Sequence, residues 1–253
     1  MSSDLKIIFF GNNRVALEVL KYLKQEKENI VGLVVHPDSR AKYKSEILEV
    51  FPKKVVFEGD KLKESAVINQ LKELNPDIFL SIYFGYILSP EVLKIPSRGA
   101  FNLHPAYLPY NKGVHPNVWS IVDGTPAGAT IHYMDEGVDT GAIIGRKKVE
   151  SDYSDTGKTL YEKLEISAIE LFKEIWPSIK KDEISTIKPE EEGTMHYLKD
   201  FVSLDEIDPN KEYKALDLIN ILRARTFPPY KSAFVRIGGK KYYIEITLKE
   251  DDE

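Results

Sequence analysis

The sequence predicts an α/β fold: a mostly parallel sheet with helices on both faces, followed by a small α+β appendage. Three observations carry this reading. Short, continuous apolar runs alternate with amphipathic segments of helical spacing, the pattern of strands buried on both faces. Most of those runs end in turn-forming or polar residues, as strands do at the open edge of such a sheet. Near residue 180 the composition shifts to a charged, proline-containing stretch, "KKDEISTIKPEEEG", which reads as a linker. The expected domains are therefore residues 1–185 and 186–253.

The elements follow in order. "LKIIFFGNN" is a buried strand closed by a turn, preceded by a short tail that lacks the basic start of a signal peptide. "VALEVLKYLKQ" places Val15, Val19, Leu20 and Leu23 on one helical face. "NIVGLVVHPDS" and "KVVFEG" are the next strands, and "SAVINQLKELNPD" is a helix ended by Asn-Pro. "DIFLSIYF" and "GAFNLHP" are strands separated by a short helix, "SPEVLKI", with Ser89 as cap and Pro90 just inside. After the short helical segment "HPNVWSIVDG", on which Trp119 reads as core, "AGATIHYM" and "GAIIGRKKVE" are expected side by side. A long helix runs from about Thr156 to Ile179. The tail offers a helix, "KEYKALDLINILRA", a turn, "TFPPYK", and a hairpin, "AFVRIGGKKYYIEI", turned at Gly238-Gly239.

Composition narrows the function. The chain has 253 residues, 42% hydrophobic and 30% charged, with a formal charge of −5. No bulk attraction to nucleic acid or anionic lipid is expected from that balance. Cysteine is absent, so disulfides and thiolate metal sites are impossible. No apolar run is long enough to span a membrane, and a cytoplasmic location is expected.

Ligands of open α/β sheets bind beyond the carboxyl ends of the strands. Four such ends stand out. Gly11-Asn12-Asn13-Arg14 leads into a helix and suits a phosphate, although it departs from the G-x-G-x-x-G pattern of nicotinamide sites. It reads equally as an ordinary polar turn. In "FNLHP", alternation puts Asn102 and His104 on one face before Pro105 stops the ladder. A carboxamide and an imidazole together suit acyl transfer, one stabilising an oxyanion and the other moving a proton. A histidine that merely caps a turn is the plainer alternative. "MDEGVDTG" is a tight acidic loop, and one of its carboxylates could orient His104. A metal site built from His104, His115, His132 and these acids lacks any recognised ligand spacing, so no metal is expected. Finally, "SIYFGYILSP" combines Gly85 with Tyr83, Phe84 and Tyr86, which suit an apolar pocket or the core.

These motifs together resemble the folate-dependent formyltransferases. The likeness rests on Asn-x-His-Pro followed by "YLPYNKG", "GTPAGATIHYMDEG" and "VDTG", and covers roughly residues 75–150. With "LRARTFPPYKSAFVRIGGKKYY" in the tail, the wording is most similar to the sugar N-formyltransferases. The resemblance implies a first domain of Rossmann type and a catalytic trio of Asn102, His104 and Asp139. It implies a folate site for 10-formyltetrahydrofolate at Tyr86, Ile87 and Leu88 and at Asp135, Glu136, Gly137 and Val138. It places the phosphate-binding turn at Gly11, Asn12, Asn13 and Arg14. Lys112 is a further candidate for the pyrophosphate, and Phe227 and Tyr230 for stacking on a base or for a hydrophobic seam. The implied acceptor is a nucleotide-linked amino sugar, dTDP-linked in the commonest case, and the implied assembly is a homodimer.

Other readings share the trio. A methionyl-tRNA formyltransferase would need a basic surface, whereas basic and acidic residues balance from Thr194 to Glu253. A formyltetrahydrofolate hydrolase could use the same side chains with water as acceptor. A catalytically silent nucleotide-binding module would not need them.

Overall fold

The computed structural model describes residues 5–189 and 191–251. The tail expected before the first strand falls on residues 1–4 and lies outside the described residues, as does Glu190 of the expected linker. In chain order the elements are β1 (Lys6–Gly11), α1 (Arg14–Gln25), β2 (Asn29–Val35), α2 (Lys44–Val50), β3 (Val55–Glu58), α3 (Ser65–Glu73), β4 (Ile78–Ile82), α4 (Pro90–Leu93) and β5 (Ala100–His104). Then come β6 (Lys112–Gly113), α5 (Pro116–Val122), β7 (Ala127–Tyr133), β8 (Ile143–Val149), α6 (Gly157–Lys181), β9 (Met195–His196), α7 (Leu198–Ser203), β10 (Glu206–Ile207), α8 (Ala215–Arg225), β11 (Phe234–Ile237) and β12 (Lys240–Tyr243).

The chain divides into two compact units. The first reaches to His104 and adds Thr130–Arg146 and Ala168–Pro189. Its frame is a sheet in the order β3-β2-β1-β4-β5-β7-β8, parallel from β3 to β5 and antiparallel between β5 and β7. Both faces of the central strands are buried, which is why they read as unbroken apolar runs. Ile8, Phe10, Val34 and Phe79 pack with Ile68 and Leu71 of α3 and Val92 of α4. Alternation turns Ile7 and Phe9 to the opposite face. There the edge of Phe172 in α6 meets Tyr22 of α1 at 6.3 Å.

Local signals explain the helix starts. Asn13 caps α1 by accepting a hydrogen bond from the Ala16 amide at 3.1 Å. Ser89 caps α4 through Val92 N at 3.4 Å, with Pro90 at its first position. The expected linker is partly tied down: Ile187 N donates to Ile143 O at 2.7 Å, extending the sheet edge by one bridge.

The second unit comprises Pro105–Ala129, Lys147–Ser167 and Glu190–Glu253. Its core joins Val118 and Ile121 of α5, Leu160 and Leu164 of α6 and Ala224 of α8. Buried Arg223 donates to the carbonyls of Asp152 and Asp155, both at 3.0 Å, so a charged side chain is satisfied by turn backbone. Trp119 is buried as expected and stacks on His196 at 3.9 Å. The hairpin forms as expected, with Ile237 opposite Lys240 and positive φ at both Gly238 and Gly239.

Candidate active site

The antiparallel seam between β5 and β7 builds the polar centre. Asn102 lies opposite His132 and His104 opposite Thr130. The loop after β7 then folds back so that Asp139 reaches both histidines. His104 Nε2 stands 3.6 Å from Asp139 Oδ2, and His132 Nε2 stands 3.6 Å from Asp139 Oδ1. Both separations are longer than hydrogen bonds. Residues distant in sequence thus converge: Asn102, His104 and Asp139 form one cluster.

His132 completes it, and its role was not anticipated from sequence. The ring is 2% exposed, and Nδ1 lies 2.7 Å from Tyr133 O. A carbonyl can only accept, so Nδ1 carries a proton, and in the neutral ring Nε2 is then an acceptor. Asn102 Nδ2 approaches that Nε2 at 3.2 Å and Asp139 Oδ1 at 3.5 Å. Two acceptors on one side require the amide NH2 there, so the orientation of Asn102 follows from the tautomer of His132. One amide proton is anchored by His132. The other is directed to Asp139 Oδ1 across the longer contact of 3.5 Å.

The acidic loop is shaped by its own side chains. Asp135 Oδ1 accepts from Gly137 N at 3.0 Å and from Thr140 Oγ1 at 2.6 Å, an Asx turn that orders the loop. A Cβ at Gly141 would lie 1.8 Å from Tyr133 O, so no larger residue fits where the loop closes. Asp139 itself has φ 54, a left-handed conformation that costs of the order of 1 kcal/mol and is held by its surroundings. Asp135, Glu136 and Gly137 are exposed and Val138 is half-buried.

The loop after β4 carries the other expected folate contacts. Leu88 is buried, Tyr86 is half-buried and Ile87 is 73% exposed. In the Gly11–Arg14 turn both asparagine side chains already serve the fold. Asn13 caps α1, and Asn12 Oδ1 accepts from Lys42 N at 3.1 Å. Lys112, Phe227 and Tyr230 belong to the second unit. There Lys112 Nζ donates to Glu192 O at 3.3 Å, and Phe227 lies edge-on to Tyr161 and Tyr230, both at 5.6 Å. The described residues contain no group of acidic, histidine or cysteine side chains able to hold a metal.

Comparison with known proteins identifies the family. Residues 5–175 match the formyl transferase family, and residues 200–250 match the N-formyltransferase dimerization C-terminal domain. The bifunctional polymyxin resistance protein ArnA of Wigglesworthia glossinidia brevipalpis is 30% identical over 95% of this chain, which spans only 37% of that relative's length. A methionyl-tRNA formyltransferase of Thermodesulfovibrio yellowstonii is 33% identical over 88% of this chain and 73% of its own. Among solved structures, a 4-N formyltransferase from Francisella tularensis superposes with a TM-score of 0.85 at 28% identity, covering 98% of this chain and 99% of that one. The formyltransferase PseJ from Anoxybacillus kamchatkensis, in complex with UDP-4,6-dideoxy-4-formamido-L-AltNAc and tetrahydrofolate, has a TM-score of 0.58 at 33% identity, covering 78% and 88%. With a family match across most of the chain and the trio gathered at the β5–β7 seam, the protein belongs to the formyltransferase family and is an enzyme of one-carbon transfer.

Proposed function

We propose that this formyltransferase moves the formyl group of 10-formyltetrahydrofolate to the amine of a nucleotide-linked amino sugar. The observation that carries the reading is the convergence of Asn102, His104 and Asp139 on one seam, with the orientation of Asn102 set by His132. Full-length likeness to a 4-N formyltransferase and the sugar-nucleotide and folate ligands of PseJ support this donor and acceptor.

The folate fits the loop after β4, where Ile87 offers apolar surface to a ring and the Gly85 backbone is open to close approach. When bound, it supplies an activated formyl carbon. Attack by a neutral amine places negative charge on the carbonyl oxygen and positive charge on nitrogen. The N–H of Asn102 would stabilise the first, and the imidazole of His104 would take the proton from the second and pass it to the folate nitrogen as the bond from that nitrogen to the formyl carbon breaks. Asp139 holds the ring and offsets its charge while it is protonated. Neither a metal nor a covalent enzyme intermediate enters this scheme.

Arg14 and the backbone of residues 11–14 are proposed for the pyrophosphate, and Lys112, Phe227 and Tyr230 for further nucleotide contacts. Each would raise the KM for the sugar nucleotide on substitution while sparing the KM for folate. The C-terminal region is proposed to pair two copies of the chain. Leu216, Ile237, Tyr242 and Tyr243 are large, apolar and exposed within the segment that matches a dimerization domain. The function is tested by supplying 10-formyltetrahydrofolate with a panel of dTDP- and UDP-linked amino sugars and weighing the products. Formylation of charged initiator tRNA in place of any sugar would favour the rival substrate, and formate release without an acceptor would favour a hydrolase.

A further inference from the structure

The loop of residues 84–88 has an open backbone at Gly85, with φ 75, and an exposed Ile87, so other contacts must hold it in place. Its two aromatic side chains converge on His36, the residue that follows β2. His36 is buried, and its ring meets Phe84 edge-on at 5.1 Å and Tyr86 edge-on at 4.8 Å. Its Nε2 is hydrogen-bonded to the Phe84 carbonyl. Because that oxygen can only accept, Nε2 carries the proton and donates it. Burial lowers the pKa of this ring against the opposing pull of the Phe84 carbonyl, and the charge of Arg40 lowers it further. Beneath the two aromatic rings Gly59 leaves no slack: a Cβ there would come within 2.8 Å of both Phe84 and Tyr86.

The turn that follows His36 continues the connection. The Arg40 guanidinium lies over the Tyr86 ring at 5.3 Å. The backbone of the same turn is bound to Asn12. Asn12 Nδ2 donates to Arg40 O at 3.4 Å, Asn12 Oδ1 accepts from Lys42 N at 3.1 Å, and Asn12 O accepts from Tyr43 N at 3.1 Å. A continuous set of contacts therefore runs from the loop after β4, through His36 and residues 37–43, to the Gly11–Arg14 turn.

We propose that His36 is a positioning residue: by holding the Phe84 carbonyl it sets the donor loop, and it ties that loop to the turn that receives the phosphates. The inference rests on reading residues 84–88 as a folate contact. It predicts that losing the Nε2 donor weakens folate binding, whereas losing ring bulk alone does not.

Two variants separate these effects. His36→Leu keeps volume and removes the donor. His36→Gln places an amide N–H near the position of Nε2. Binding of 5-formyltetrahydrofolate by titration calorimetry is read beside amide hydrogen exchange of residues 84–88 and 40–43 in the free protein. The expected result for His36→Leu is about tenfold weaker folate binding, the scale of one lost buried hydrogen bond, with faster exchange in both segments. His36→Gln should recover most of both. If His36→Leu fails to fold, His36→Asn replaces it, since its shorter amide falls short of the Phe84 carbonyl. Wild-type affinity and wild-type exchange in the donor-deleted variant would overturn the proposal, as would equal losses in the Gln variant. If the wild-type protein itself binds no folate, the reading of the loop fails, and the exchange measurement still decides whether His36 holds it.

Discussion

The β5–β7 seam and the β11–β12 hairpin are both antiparallel, yet they bury opposite things. At the seam, polar side chains are enclosed: His104 and His132 are buried, Asp139 is nearly so, and Asn102 is half-buried. At the hairpin, apolar side chains stand in the open, with Ile237 59% and Tyr242 51% exposed. Enclosing polar groups is costly unless each is partnered, and exposing large apolar groups is costly unless something covers them. The seam meets its cost internally, by a chain of partners from Tyr133 O through His132 to Asn102. The hairpin leaves its cost to be met from outside. The enclosed polar cluster is where we propose the chemistry, and the exposed hairpin is where we propose the pairing of two copies.

Substitutions at the two regions should therefore fail in different ways. The largest effect is expected at His104: His104→Asn should lower kcat about a thousandfold, in the range of lost general acid–base catalysis, with folate affinity largely kept. Steady-state kinetics alongside folate titration checks both halves. Asp139→Ala should lower kcat by several hundredfold through a mispositioned imidazole, measured the same way. His132→Ala should have a smaller effect, about tenfold in kcat, because it frees Asn102 without removing it. A His132→Ala enzyme with wild-type kcat would show that Asn102 needs no such anchor. At the hairpin the prediction inverts. Ile237→Asp together with Tyr242→Asp should shift sedimentation from dimer to monomer and leave the described geometry of the seam unchanged. Dimers that persist would place the pairing surface elsewhere.

Much of this contrast was legible in the sequence. The central strands are continuous apolar runs because both faces are covered, and β1, β2, β4 and β5 lie where those runs do. Gly238-Gly239 announced the hairpin because its turn needs positive φ at both positions. Elements defined by distant partners were not legible. The two-residue strands β6 and β9 exist only because Lys112 pairs with Met195 and Gly113 with His196. Helix α2 was missed because its short run has no side-chain cap to announce it. α8 starts at Ala215, within the segment that had read as helical from Lys211.

The site divided in the same way. Asn102 and His104 were visible as neighbours on one strand face, and Asp139 came from the family resemblance. His132 was seen as a possible metal ligand, whereas its place opposite Asn102 gives it another task. Nothing local marks that task, since the register between β5 and β7 decides it. His36 is similar: it looks like the polar end of a strand until Phe84 and Tyr86 fold onto it.

The buried seam is proposed to transfer a formyl group to a sugar amine. The most direct measurement is a mass-resolved transfer assay with 10-formyltetrahydrofolate and nucleotide-linked amino sugars, run in parallel on wild-type protein and His104→Asn. An N-formylated sugar nucleotide is expected from the wild type and almost none from the variant. Equal product from both, or no sugar product alongside a formylated initiator tRNA, would contradict that proposal.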